Sequence, residues 1–242
     1  MPHGQLLNPL QKIKIFLPKR VIVRSAPGGD ERTNNMSEVY RSHHRVIALF
    51  GMISEWRQFS QRNFSAPSPT LLKMRTLVSF SLGEGNWVET GTYMGGTTQY
   101  LAKRFPNVIS IEPSPKFYSY AKSRLRKLKN VTLLNGTSED FFEEALVASA
   151  PIANIWLDGH FSDGGTFLGE SVSPIVHELE VINRHKSEFS EIRIFVDDVR
   201  LFQRDDLHVT GYPEFSFLLN WAQSNGFIWE IQNDIFIASY PN

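Results

Sequence analysis

Val88-Glu89-Thr90-Gly91-Thr92-Tyr93-Met94-Gly95-Gly96-Thr97, followed by Ile111-Glu112, is the part of this chain best equipped for chemistry. It reads as an apolar strand, a glycine turn and a helix start, then a second strand that ends in an acid. Glycines at such a turn let backbone approach a nucleotide, and an acid at the end of the next strand can hold two ribose hydroxyls. Glu112 lies 23 positions after Glu89, which suits that task. A dinucleotide fingerprint wants glycine at the third position of the turn, where a pyrophosphate comes close. Here that position is Tyr93, whose ring would crowd a diphosphate. The expected ligand is therefore a nucleoside without phosphate, S-adenosylmethionine, in preference to NAD.

Other apolar runs also end in polar residues. One leads into Asn135-Gly136-Thr137-Ser138-Glu139-Asp140, one ends at Leu157-Asp158-Gly159-His160, and one at Phe195-Val196-Asp197-Asp198. In an open α/β sheet, ligands bind at the carboxyl ends of the strands, so these ends belong together. Glu89, Glu112 and Glu139 are placed to grip the cofactor. Asp158, Asp197 and Asp198 would cluster if their strands are neighbours, and carboxylates that close repel unless something positive sits among them. A hard divalent cation suits such oxygen ligands: magnesium first, manganese or calcium next. The alternative is that Asp197 caps a turn and Asp198 pairs with Arg200 or Arg204. His160, two residues past Asp158, is fit to take a proton from a hydroxyl. The loop Phe161–Phe167, with Gly164-Gly165 between aromatics, reads either as a flap over substrate or as a simple connector. His177-Glu178 begins like a zinc-protease helix but lacks the second histidine.

The elements that must position these residues are legible from residue 86 onward. Strands are expected near 86–90, 107–112, 130–134, 153–158, 192–197, 226–232 and 235–239. Helices are expected near 95–105, 115–128, 138–148, 170–187 and 213–224. That order implies an α/β, Rossmann-like, mostly parallel seven-stranded sheet with helices on both faces. Asn233-Asp234 between two apolar runs predicts a C-terminal antiparallel hairpin. Before residue 86 comes an N-terminal helical extension, with helical periodicity over Ser37–Arg62 and Thr70–Phe80. Residues 1–35 read as a basic arm. The expected division is 1–85, arm and helical cap, and 86–242, the cofactor-binding domain.

Bulk properties narrow the function classes. The 242 residues carry 25 basic and 25 acidic side chains, so no global field favours nucleic acid or an anionic membrane. There is no cysteine, hence no disulfide, thiolate metal site or cysteine nucleophile. That composition fits a reducing compartment, and a cytoplasmic protein is expected. No apolar run approaches a membrane span, so no stable membrane insertion is expected. The expected partner is a small-molecule substrate, with no nucleic acid and with homo-oligomerisation left open.

Residues 86–242 resemble a class I S-adenosylmethionine-dependent methyltransferase. Glu89-Thr90-Gly91-Thr92-Tyr93-Met94-Gly95 is similar to the first motif of the cation-dependent small-molecule O-methyltransferases of the caffeoyl-CoA and catechol type. Asp158-Gly159-His160 with Asp197-Asp198 is closer to the macrocin-type sugar O-methyltransferases. The resemblance implies transfer of a methyl group to a hydroxyl. It would assign Glu89, Gly91 and Gly95, with Thr92 and Tyr93 in the same turn, to the methionine end of the cofactor. Glu112 would take the ribose, and Ser138 with Glu139 the adenine side. Asp158, Asp197 and Asp198 would carry a metal, Asp158 also bordering the cofactor, and His160 would be the base. In two places the chain departs from the pattern: 39 residues separate Asp158 from Asp197, and the second-strand acid is Glu112 where Asp is usual. The competing classes are an NAD-dependent oxidoreductase and a non-catalytic binding module on the same fold.

Overall fold

Parallel pairing needs long crossover connections, and the helical runs between the apolar segments supply them. In the computed structural model, residues 51–158, 174–203 and 212–241 are described. Residues 51–61 are helical (α1), and α2 covers Thr70–Phe80. Then come β1 (Asn86–Thr90), α3 (Gly96–Ala102), β2 (Val108–Glu112), α4 (Pro115–Leu125), β3 (Val131–Asn135) and α5 (Ser138–Ala148). They are followed by β4 (Ile152–Leu157), α6 (Ile175–His185), β5 (Glu191–Val196), α7 (Phe215–Ser224), β6 (Ile228–Gln232) and β7 (Ile235–Tyr240). Each expected strand is present, with ends shifted by at most two residues. The arm and the Phe161–Phe167 loop lie outside the described residues, as do His160 and Arg204.

The seven strands form one sheet in the order β3-β2-β1-β4-β5-β7-β6. Pairs from β3 to β5 are parallel, and β7 is antiparallel to both β5 and β6. The order reverses between β1 and β4, which places a crevice at their carboxyl ends. Gln232 pairs with Ile235 across the terminal hairpin, so its turn is Asn233-Asp234. Both turn residues have positive φ, 54° and 68°, as a tight turn matched to strand twist requires.

Strand alternation divides the core into two layers. Val88, Ile155, Ile194 and Phe236 face one side, packed with Phe142 and Leu146 of α5, Leu179 and Ile182 of α6, and Leu218 of α7. Trp87, Trp156, Phe195, Ile235 and Ile237 face the other, with Leu77 of α2 and Leu101 of α3. Burying a side chain of this size contributes about 1.5–3 kcal/mol, so both layers stabilise the sheet substantially. Leu77 is 1% exposed. The helix expected in the cap thus packs directly on the sheet, inside the compact unit Ile47–Asn242. No helix among the described residues is long and apolar enough to cross a membrane.

Candidate active site

The turn after β1 is built by its backbone. Gly91 and Gly95 have φ of 86° and 71°, the left-handed region that glycine enters freely. A Cβ on Gly95 would also meet Leu125 Cδ1 of α4 at 3.2 Å, so this position needs glycine twice over. Gly91 N and Thr92 N both donate to the Ile111 carbonyl, which fixes the turn to the end of β2. Tyr93 sits between the glycines with φ 50°. Its ring is half exposed and leans on Phe117 of α4 at 4.4 Å between centroids.

Glu112 closes this side. Its Oε2 accepts the Tyr93 backbone N–H at 2.6 Å, and its Oε1 accepts that of Ser114 at 2.9 Å. Burial raises its carboxyl above the ordinary range, and the two N–H donors pull the other way. Beyond β3, the Asp140 carboxylate accepts the Thr137 N–H at 3.0 Å and the Thr137 hydroxyl at 2.9 Å, closing the first turn of α5. Ser138 starts that helix buried, and Glu139 follows it exposed.

Glu89 lies buried at the end of β1. The alternation that turns Trp87 toward α3 turns Glu89 the same way, and it is 1% exposed. Its Oε2 accepts Thr98 Oγ1 at 2.5 Å and Ser110 Oγ at 2.6 Å. Ser110 in turn lies 2.6 Å from the buried Thr92 hydroxyl. Burial pushes the Glu89 carboxyl up to about 7 despite the hydroxyls. Glu89 and Thr92 therefore tie β1, β2 and α3 together beneath the turn.

The acids after β4 and β5 meet as expected, because Leu157 pairs with Val196 and the next residues are Asp158 and Asp197. What lies among Asp197 and Asp198 is an ammonium. Lys73 Nζ of α2 is 2.6 Å from Asp197 Oδ1 and 2.5 Å from Asp198 Oδ1. Asp198, at φ 55°, also accepts both terminal nitrogens of Arg200, at 2.6 and 3.0 Å. Arg200 continues to Asp234 in the β6–β7 turn, through its side chain and through its N–H at 3.0 Å. Burial alone would lower the Lys73 pKa, but the two aspartates outweigh it and hold the ammonium charged. Burial likewise opposes the Asp198 charge, but Lys73 and Arg200 hold this carboxyl below its usual range. Burial and the facing Asp158 push Asp197 the other way, upward. The expected pairing of Asp198 with Arg200 is present. Among the described residues, no group of three or more His, Asp or Glu side chains is arranged to hold a metal ion.

A small recess of about 10 Å³ lies beside this cluster, with Asp158, Glu178, Asp197 and Tyr212 among apolar Leu157, Ile175 and Val196. Glu178 of α6 is 1% exposed. Burial drives its carboxyl up to about 8 although the Ser138 and Thr90 hydroxyls lie beside it. Its Oε1 makes no hydrogen bond. Tyr212 is buried, its ring 4.7 Å from Phe202, and burial plus the surrounding carboxylates raise its phenol well above the usual value.

Lys73, Glu178 and Tyr212 were not among the residues expected here. A signal existed for the first two. Lys73 shares a helix face with Thr76, Leu77 and Phe80, and Glu178 shares one with Ile175, Leu179 and Ile182. A charge inside an apolar stripe must find a buried partner or shed its charge. Tyr212, just before Pro213, carries no periodic signal.

No protein-family model and no curated protein matches the chain. Among solved structures, a precorrin-6y C5,15-methyltransferase from Geobacter metallireducens aligns at 12% identity over 72% of this chain and 88% of that one, with a TM-score of 0.45. An rRNA methylase from Streptococcus thermophilus aligns at 15% identity over 72% and 95%, with a TM-score of 0.41. M. capricolum TrmK in complex with S-adenosylhomocysteine aligns at 11% identity over 69% and 66%, with a TM-score of 0.43.

Proposed function

We propose that this protein transfers a methyl group from S-adenosylmethionine to a hydroxyl oxygen of a small molecule. The observation that carries the reading is Glu112: an acid at the end of β2, fastened by the Tyr93 N–H to a turn with left-handed residues at 91, 93 and 95. That unit stands at the switch point of a sheet whose seventh strand is antiparallel, the strand plan the sequence resemblance implies.

The residues fit the cofactor without a phosphate site. Gly95 lets α3 and α4 close on the turn, and Tyr93 replaces the glycine that a pyrophosphate would need. Gly91, Tyr93 and Gly95 would hold the methionine side, Glu112 the ribose, and Ser138 with Glu139 the adenine side. Glu89 and Thr92 act one layer below, by fixing the strand ends. When bound, S-adenosylmethionine supplies a methyl group on an already activated sulfonium.

The protein's own work is then alignment and proton removal. As the acceptor oxygen forms its new bond to carbon, its proton must pass to a base at the mouth of β4. Asp158 stands there, and His160 follows it in the chain. Tyr212, held neutral, keeps a phenol that can both donate and accept a hydrogen bond.

Calorimetry separates the readings. S-adenosylhomocysteine should bind to the wild type, and Glu112→Ala should weaken it by at least about tenfold, the loss of one good hydrogen-bonded contact. NAD should not bind. Binding of NAD, with no heat from S-adenosylhomocysteine, would overturn the proposal.

A further inference from the structure

The chain has as many acids as basic residues, but they are not evenly spread. From Gly91 to Ser138 there is one acid, Glu112, and it is buried and bonded to the Tyr93 and Ser114 N–H groups. Six cations of the same stretch lie on α4 or just past it: Lys116, Lys122, Arg124, Arg126, Lys127 and Lys129. All six are exposed. The pattern of α4 puts them there, because Phe117, Ala121 and Leu125 recur every four residues and take the inward face. Lys103 and Arg104, also exposed, join them from the end of α3. Asn130, next after Lys129, donates to the Ala102 and Phe105 carbonyls at 2.8 and 3.0 Å and holds the two helix ends together. Among the described residues, no carboxylate forms an ion pair with any of these cations. The remainder of the chain is correspondingly acidic.

This surface reaches the turn after β1. Arg124 donates to the Met94 carbonyl and to Gln99 Oε1, each at 3.3 Å, and the Tyr93 ring rests on Phe117. Two phenol rings stand among the cations, Tyr120 at 53% exposed and Tyr93 at 52%. A protein partner would call for an apolar patch centre and few lysines. A helix that binds a membrane surface turns its apolar face to the lipid, whereas that of α4 is packed inside. Exposed cations with aromatic rings between them suit phosphodiesters and unstacked nucleobases.

We propose that the outer face of α4, with the end of α3, binds single-stranded nucleic acid: the cations neutralise backbone phosphates, and Tyr120 stacks on a nucleobase. The zero net charge of the chain does not oppose this. Salt screens exposed charges beyond about 10 Å, so a phosphate on α4 meets the local cations and not the distant acids. The inference does not rest on the methyl-transfer reading, and its test involves no cofactor.

Fluorescence anisotropy of a labelled mixed-sequence RNA of about 16 nucleotides, the upper size of such sites, tests this on the full-length protein. The wild type should bind in about 50 mM salt and lose about fiftyfold in affinity by about 200 mM, the slope for about four phosphates neutralised on a single strand. Lys122→Glu with Arg126→Glu should weaken binding at least about tenfold. Lys127→Glu with Lys129→Glu, past the end of the helix, replaces that pair should it not fold. Arg57→Glu with Arg75→Glu, an equal change of charge on α1 and α2, should alter binding by less than about twofold. Tyr120→Ala should cost about fivefold or more, the loss of one stacked base. Comparable binding of DNA of the same sequence assigns the surface to the backbone common to both, and binding of RNA alone assigns it to RNA. A wild type that leaves both strands free in about 50 mM salt would overturn the proposal, as would equal weakening by the α4 pair and the Arg57, Arg75 pair. Sedimentation with phosphatidylserine vesicles, with both nucleic acids left free, would overturn it in favour of a membrane surface.

Discussion

Glu89, Glu112 and Glu178, grouped around β1, are held by hydroxyls and backbone N–H groups, whereas Asp197 and Asp198, following β5, are held by a lysine and an arginine. All five are buried residues. Neutral donors do not repay the desolvation of a charge, so the first group drifts toward the protonated form. Cations at hydrogen-bond distance repay it for Asp198, which stays ionised. The surroundings of β1 are thus shaped by backbone and neutral hydrogen bonds, and the end of β5 by charge. The two sides should fail in different ways.

Removing the charge should have the largest effect. Lys73→Met removes from Asp197 and Asp198 the one ammonium that both touch. Breaking one partner out of a buried pair costs about 3 kcal/mol or more. Urea denaturation should show that loss, with Lys73→Arg recovering part of it. A Lys73→Met protein within about 0.5 kcal/mol of the wild type, the range of ordinary surface changes, would mean that the acids do not depend on Lys73.

At the turn after β1 the sensitive point is steric. Gly95→Ala must adopt a φ of 71° and press its Cβ against Leu125. The left-handed conformation alone costs about 1–2 kcal/mol for a residue with a Cβ, and the contact adds to it. Stability should fall by about 2 kcal/mol, and S-adenosylhomocysteine binding should weaken alongside. A neutral outcome would show that the turn can open away from α4.

The sequence exposed these two sides unequally, for a physical reason. The turn, its glycines, Glu112, the succession of strands and helices and the terminal hairpin are local patterns: a glycine spacing, an alternation, a two-residue turn. Each could be read where it stands, and α2, α5 and the Asn233-Asp234 turn fall where the pattern puts them. The hydrogen bonds of Glu89 were not legible, because a strand has two faces and only packing decides that this acid meets Thr98 and Ser110. The acid cluster was legible from its strand ends, but its cation was not. Lys73 lies 124 positions before Asp197, and nothing in the spacing of the acids names its partner. The clue was indirect, a lone charge on the apolar face of a helix, and the same clue marks Glu178.

Acidity offers the finest separation of the two groups. For Glu89 and Glu178 the folded-state pKa is raised from 4.5, to about 7 and about 8. Between those limits the native state binds protons that the unfolded chain has released. Stability must then fall as pH rises through that window, by about 1.4 kcal/mol per pH unit for each proton held only by the folded form. Asp198 has the opposite sign. Its pKa is lowered below 3.8, so its contribution is complete above that value and fades only as the solution becomes more acidic. Stability measured by denaturation from about pH 5 to about pH 8 should therefore decline in the wild type and decline less steeply in the Glu89→Gln, Glu178→Gln double variant, because glutamine keeps the shape and cannot ionise. Asp198→Asn should shift the whole curve downward without changing its slope in that range. Parallel curves for the wild type and the double variant would place those two carboxyls back in the ordinary range, and the contrast between neutral and charged support would then be lost.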